Sequence, residues 1–228
     1  MSTVYILHGW TYSTARWAGL LEWLEQNDVK PIMLHVPGLT APSEEVWTTA
    51  KYVDWLAETL PNGEKLTLIG HSNGGRLALN FAAKYPQRVA RLILIDSAGI
   101  YHDGWRVKLK RYIFGRVAKI GKKITASGSL KRALYSLAGS HDYAEASANM
   151  RQTLINVNES DREIRLEEIA VRVTLIWGAD DRLTPLSDGR ELARRLPQAN
   201  LEVIAGARHA PFETHTERVG DLIIAALA

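Results

Sequence analysis

Cysteine is absent from the 228 residues, which excludes disulfides and thiolate catalysis. No run approaches the roughly eighteen apolar residues that span a bilayer. A secretion signal is also missing. Met1-Ser2-Thr3 leads directly into Val4-Tyr5-Ile6-Leu7 with no basic segment before it, so a cytoplasmic location is expected. Without a signal, the match of Asn158-Glu159-Ser160 to a glycosylation acceptor is read as chance. Internal repeats and low-complexity linkers are absent, and the length suits one domain with a sizeable core. With 46% apolar and 23% charged residues, the balance is that of a soluble globular chain.

Acidic residues are missing from one stretch in particular. Between Gly104 and Arg132 stand Arg106, Lys108, Lys110, Arg111, Arg116, Lys119, Lys122, Lys123, Lys131 and Arg132, with no Asp or Glu among them. The formal charge of the whole chain is only +3, so the remainder is net negative. Such a stretch suits a solvated helix face, and no nucleic-acid partner is expected. Contact with an anionic membrane surface is the competing reading.

What is present is a rhythm. Short β-branched runs at Val4–Leu7, Ile32–Val36, Leu66–Ile69, Leu92–Ile95, Val173–Trp177 and Leu201–Ile204 alternate with helical patterns. The helical patterns cover Ala15–Gln26, Trp47–Leu60, Gly75–Tyr85, Asp188–Leu196 and Glu217–Leu227, with Pro86 and Pro197 closing two of them. Continuous apolar strands suit a parallel sheet covered on both faces. The expectation is an α/β, doubly wound fold. One interval, from Ile100 to about Ala170, has no strand pattern. There Trp105, Leu109, Tyr112, Ile113, Val117 and Ile120 recur at helical spacing, which reads as a helical insertion over the strand ends. The division is therefore a core of residues 1–99 and 171–228 and an inserted cap of residues 100–170.

Gly70-His71-Ser72-Asn73-Gly74 is a G-x-S-x-G set between a strand and a helix. Chance alone produces the pattern in roughly one chain in twelve of this length, so the strand–turn–helix setting carries the weight. Such a turn lifts Ser72 above the sheet edge and aims a helix N-terminus at it. A serine hydroxyl needs a base to remove its proton. His209, after the last strand, fits that role, with His215 as competitor; His8 and His71 flank the site as loop residues. An acid should orient the histidine from the end of the preceding strand. Asp180 and Asp181 both stand there, and Asp96 is a third candidate one strand over. The backbone N–H groups of Trp10, after the first strand, and Asn73 are the expected donors to an oxyanion.

Taken together, these residues resemble the α/β-hydrolase fold superfamily along nearly the whole chain. His8-Gly9 with Trp17 is similar to its oxyanion loop, Gly70–Gly74 to its nucleophile elbow, and Gly178-Ala179-Asp180-Asp181 with Pro185 to its acid turn. The segment around His209 with Glu213 is similar to its histidine loop. The resemblance implies Asp181 as the acid, a six-stranded parallel sheet lacking the family's N-terminal hairpin, and a helical cap at the insertion. Val36 in Val36-Pro37-Gly38 replaces the Asp usual in the family, outside the triad. Ser72 argues against the family members that use an Asp nucleophile. The implied activity is a serine esterase acting on small or medium acyl substrates through an acyl-enzyme, without metal or cofactor. A carbon–carbon hydrolase or lactonase is the second reading, and a non-catalytic ligand binder the third.

Overall fold

The computed structural model describes residues 1–102 and 146–228. Six parallel strands form one sheet: β1 (Ser2–Leu7), β2 (Val29–Leu34), β3 (Leu66–His71), β4 (Val89–Ile95), β5 (Arg172–Gly178) and β6 (Ala199–Ile204). Their order is β2-β1-β3-β4-β5-β6. Among the described residues the α-helices are α1 (Ala18–Gln26), α2 (Thr49–Thr59), α3 (Asn73–Lys84), α4 (Ala148–Glu159), α5 (Leu186–Arg195), α6 (Pro211–Thr214) and α7 (Thr216–Leu227). No described helix is long and apolar enough to cross a membrane.

Period-two alternation divides the buried side chains between the two faces of the sheet. Leu66, Leu68, Leu92, Leu94, Leu175 and Trp177 pack with residues of α2, α3, α4 and α5 in one core cluster. Ile6, Ile69, Ile93, Ile95 and Ile176 point the other way, into a second cluster with α1 and α7. Both faces are thus apolar, which is why the central strands read as unbroken hydrophobic runs.

The second strand lies earlier than its β-branched run suggests. It spans Val29–Leu34, whereas the apolar pattern marks Ile32–Val36. Pro31 lies within β2, an edge strand, where a residue without an N–H is tolerated. Val36 and Pro37 belong instead to a tight turn, in which Val36 accepts hydrogen bonds from the Leu39 and Ala41 amides. The apolar stripe from Trp105 to Ile120 and the basic segment to Arg132 lie outside the described residues. Of the inserted stretch, α4 and the turns after it are described; Met150, Val157, Ile164 and Leu166 are buried in the first core cluster.

Candidate active site

The sheet order reverses direction between β1 and β3, and ligands of doubly wound sheets bind at the carboxyl ends of the strands beside such a switch. Gly9 and Trp10 follow β1 there, and Ser72 follows β3. All three line a cavity of about 870 Å³ together with His209.

Ser72 has φ 51° and ψ −118°, a left-handed conformation that costs a non-glycine residue about 1–3 kcal/mol. Its main chain is held from three sides. The Ser72 N–H bonds the Ile95 carbonyl at 3.1 Å, while the Ser72 carbonyl accepts from Gly75 and Ala98, each at 3.0 Å. The turn closes only because two neighbours lack a side chain. A Cβ on Gly70 would lie 2.6 Å from the Gly75 Cα, and one on Gly74 would lie 2.0 Å from the Leu7 carbonyl oxygen.

The acid turn follows β5. Asp180 is exposed and Asp181 buried, although they are adjacent. The Asp180 N–H bonds the Ala207 carbonyl at 2.9 Å, which ties this turn to the histidine loop. Asp181 Oδ2 receives His209 Nδ1–H at 2.7 Å. Its other oxygen accepts the Leu183 N–H at 2.7 Å and the Thr184 N–H at 3.2 Å. Burial opposes ionisation of Asp181, but the His209 bond and charge, the Thr184 hydroxyl and the Leu183 amide outweigh it and hold the pKa below the usual carboxylate value. Of the sequence candidates, then, Asp181 meets His209. Asp180 does not, and Asp96 spends one oxygen on the Gly178 N–H at 2.8 Å. His215, the competing histidine, stands before α7 and bonds the Thr214 hydroxyl.

Sequence reasoning underrated two histidines and overlooked a threonine. His71 is the last residue of β3, and its Nε2–H donates to the His209 backbone carbonyl at 2.6 Å. Burial, followed by the nearby His209, lowers the His71 pKa to about 3, so the ring is neutral. His8 Nδ1–H donates to the Gly9 carbonyl at 2.7 Å, and His8 Nε2 accepts from the Thr40 hydroxyl. Burial lowers the His8 pKa as well. Thr184 Oγ1 lies 2.7 Å from Asp181 Oδ2 and 3.2 Å from His209 Nδ1. An Asp whose side chain bonds the amides two and three residues on is a common turn device, so Asp181 to Thr184 carried a signal. His71 carried none.

The far wall of the cavity includes Arg76, Asn158 and Asp161. Arg76 forms a bidentate pair with Asp161, both bonds 2.7 Å, and also donates to Asn73 and Asn158. Its charge is therefore neutralised within the wall. His71, Asp96 and His209 offer ligand atoms within 4.8 Å of one another. Of these groups, His71 Nε2 bonds the His209 carbonyl, one Asp96 oxygen accepts the Gly178 N–H, and His209 Nδ1 bonds Asp181.

The His71 ring makes a stability prediction. A histidine whose folded pKa lies below its unfolded value takes up its proton mainly on unfolding, so stability falls as pH drops from about 6.5 towards 3. Between about pH 6.5 and 4.5 this group alone is expected to remove about 2–3 kcal/mol. His71→Gln keeps an N–H donor for the His209 carbonyl and should show a flatter acid limb. Urea unfolding of both proteins across that range checks it.

A family model described as alpha/beta hydrolase fold matches residues 2–112. A pimeloyl-[acyl-carrier protein] methyl ester esterase of Aromatoleum aromaticum is 27% identical, the match covering 96% of this chain and 95% of that protein. A 2-hydroxy-6-oxononadienedioate/2-hydroxy-6-oxononatrienedioate hydrolase of Paraburkholderia phymatum is 25% identical, over 97% of this chain and 85% of that one. Among solved structures, a putative lipase from Acinetobacter baumannii superposes with a TM-score of 0.74 at 20% identity, covering 99% of this chain and 83% of that one. A thermophilic esterase from Thermogutta terrifontis gives 0.66 at 22% identity, over 100% and 89%. With its strand order, its left-handed serine turn and these likenesses, the chain has the α/β-hydrolase fold.

Proposed function

We propose that this protein is a serine hydrolase that cleaves carboxylic esters of small or medium acyl substrates through an acyl-enzyme. The observation that carries the reading is the 2.7 Å bond from His209 Nδ1 to buried Asp181, in the same cavity as a serine held at positive φ. With Nδ1–H committed to Asp181, Nε2 is the ring nitrogen left to act as base. In the first step Ser72 Oγ attacks the ester carbonyl while His209 takes its proton, and the alcohol leaves with that proton. Water then attacks the acyl-enzyme by the same route in reverse, releasing the acid and restoring Ser72.

The developing oxyanion is met by the Trp10 and Asn73 amides. Those of Gly75, Arg76 and Ala98 are unsuited, because all three donate to the Ser72 carbonyl. The Trp10 N–H is aimed from behind: His8 holds the Gly9 carbonyl, and in a trans peptide the next N–H points the opposite way. Leu154, Asn158 and Asp161 reach the cavity from the inserted stretch, which supports a cap that sets acyl size. Carbon–carbon hydrolysis is the second reading, favoured by the polar wall of Arg76, Asp161 and Asn158 and by the name of the Paraburkholderia relative.

The deciding experiment is a panel of p-nitrophenyl esters from acetyl to palmitoyl, run beside lactones and a vinylogous diketone. The optimum is expected at short or medium acyl esters. A palmitoyl optimum, with liposome binding lost at high salt, would instead favour a lipid substrate docked through the basic segment.

A further inference from the structure

Asp96 ends β4, one strand over from the acid turn, and the mechanism above does not use it. Its side chain is fully buried and its φ is 40°, a left-handed value at the strand end. One oxygen accepts the Gly178 N–H at 2.8 Å; the other, Oδ2, is buried with no donor among the described residues. A carboxylate oxygen buried without a donor is costly, whereas the same oxygen bearing a proton needs only an acceptor. Asp181 is the acceptor at hand. The Thr184 hydroxyl reaches the Asp96 carbonyl oxygen at 3.0 Å and Asp181 Oδ2 at 2.7 Å, so the two aspartates flank one side chain.

Among the described residues, the titratable groups facing Asp96 are His71 from β3, Asp181 from the acid turn and His209 from the histidine loop. None is a lysine or arginine. Asp188 on α5, whose charge acts on Asp181, is paired with His102.

We propose that Asp96 is a positioning residue, whose carboxyl group keeps its proton at neutral pH and donates it in a hydrogen bond to the Asp181 carboxylate. That bond holds Asp181 in the orientation that accepts His209 Nδ1–H and keeps the charge of the pair at one. The inference rests on Asp181 and His209 being the acid–base pair of the proposed mechanism. Burial, opposed by the Gly178 N–H bond and reinforced by Asp181, raises the Asp96 pKa to about 8. Above that value the donor is lost, and with it the bond that holds Asp181 in place for His209. Activity should therefore fall as pH rises through about 8. Stability has the matching sign. A carboxyl group with a raised folded pKa loses stability between its unfolded value, about 3.9, and its folded one, and the loss is complete above the latter.

The test compares wild type, D96N and D96A by infrared difference spectroscopy and by pH profiles of kcat/KM. The wild type should show a protonated carboxylic acid stretch at about pH 6 that disappears on titration through about 8 and is missing from D96N. D96N, which restores a donor to Asp181 and an acceptor to Gly178, should cost about threefold at pH 7 and remove the alkaline fall. D96A, which restores neither, should cost at least about tenfold. An ionised Asp96 at pH 6, or an unchanged alkaline fall in D96N, would overturn the proposal. The infrared band is also read in Ser72→Ala, where no turnover is needed. A failure of the serine mechanism therefore leaves that result standing and is told apart from a failure here.

Discussion

Replacing Ser72 with alanine is expected to leave at most roughly a thousandth of the wild-type ester hydrolysis, with the fold intact. The loss follows from removing the one oxygen that forms the acyl bond in the proposed mechanism. The remaining amides and the Asp181–His209 pair can only orient water. The fold should survive because the elbow is held by main-chain groups: the Ser72 N–H to Ile95, and the Ser72 carbonyl to the Gly75, Arg76 and Ala98 amides. Alanine meets the same steric cost as serine at φ 51°, so backbone strain is unchanged. Thermal melts of the two proteins should coincide within about two degrees, as for a surface change well under 1 kcal/mol. A fluorophosphonate should label the wild type at Ser72 alone and leave the variant unlabelled. Label persisting in the variant would place the nucleophile elsewhere.

Most of this architecture was legible because it rests on local rules. Unbroken apolar runs announced strands buried on both faces, and the spacing Gly70, Ser72, Gly74 announced a turn in which strand and helix nearly touch. The second strand was set too late along the chain because its β-branched run, Ile32–Val36, continues past the strand end into the turn at Val36 and Pro37. The choice between Asp180 and Asp181 was open from residue type alone. The structure separates them by burial, and the Asp181 bonds to the Leu183 and Thr184 amides turn that side chain inward. The part played by His71 is a long-range fact. Its donor meets a carbonyl 138 residues away, a pairing that exists only once β3 and the loop after β6 share an end of the sheet. Asp96 is similar: its neighbours come from β3, from the end of β5 and from the loops after β5 and β6, not from its own strand.

Asp181→Asn should be far more damaging than Asp180→Asn, though the two positions are adjacent and the chemical change is identical. Asp181 accepts the proton-bearing Nδ1 of His209 at 2.7 Å, which leaves Nε2 unprotonated towards the cavity. An asparagine there can present its NH₂ to Nδ1, which stabilises the tautomer with the proton on Nε2, and a protonated Nε2 cannot take the Ser72 proton. The same reversal in a serine protease costs about ten-thousand-fold in kcat, and a loss of that order is expected here. Folding should persist, since the asparagine carbonyl can still accept the Leu183 and Thr184 amides that Oδ1 holds. What the variant gives up in stability should depend on pH. Asp181 is held below its usual pKa, so its contribution is present above the unfolded value and lost as pH falls through the folded one; the asparagine protein lacks that slope. Asp180 is exposed and is tied to Ala207 through its main-chain N–H, which an asparagine retains. Asp180→Asn should therefore stay within about twofold of wild type, as surface substitutions usually do. Measuring kcat/KM for both variants on the preferred ester, beside their circular dichroism, decides the matter. A crippled Asp180→Asn with an active Asp181→Asn would mean that the buried aspartate holds the turn and another group orients His209.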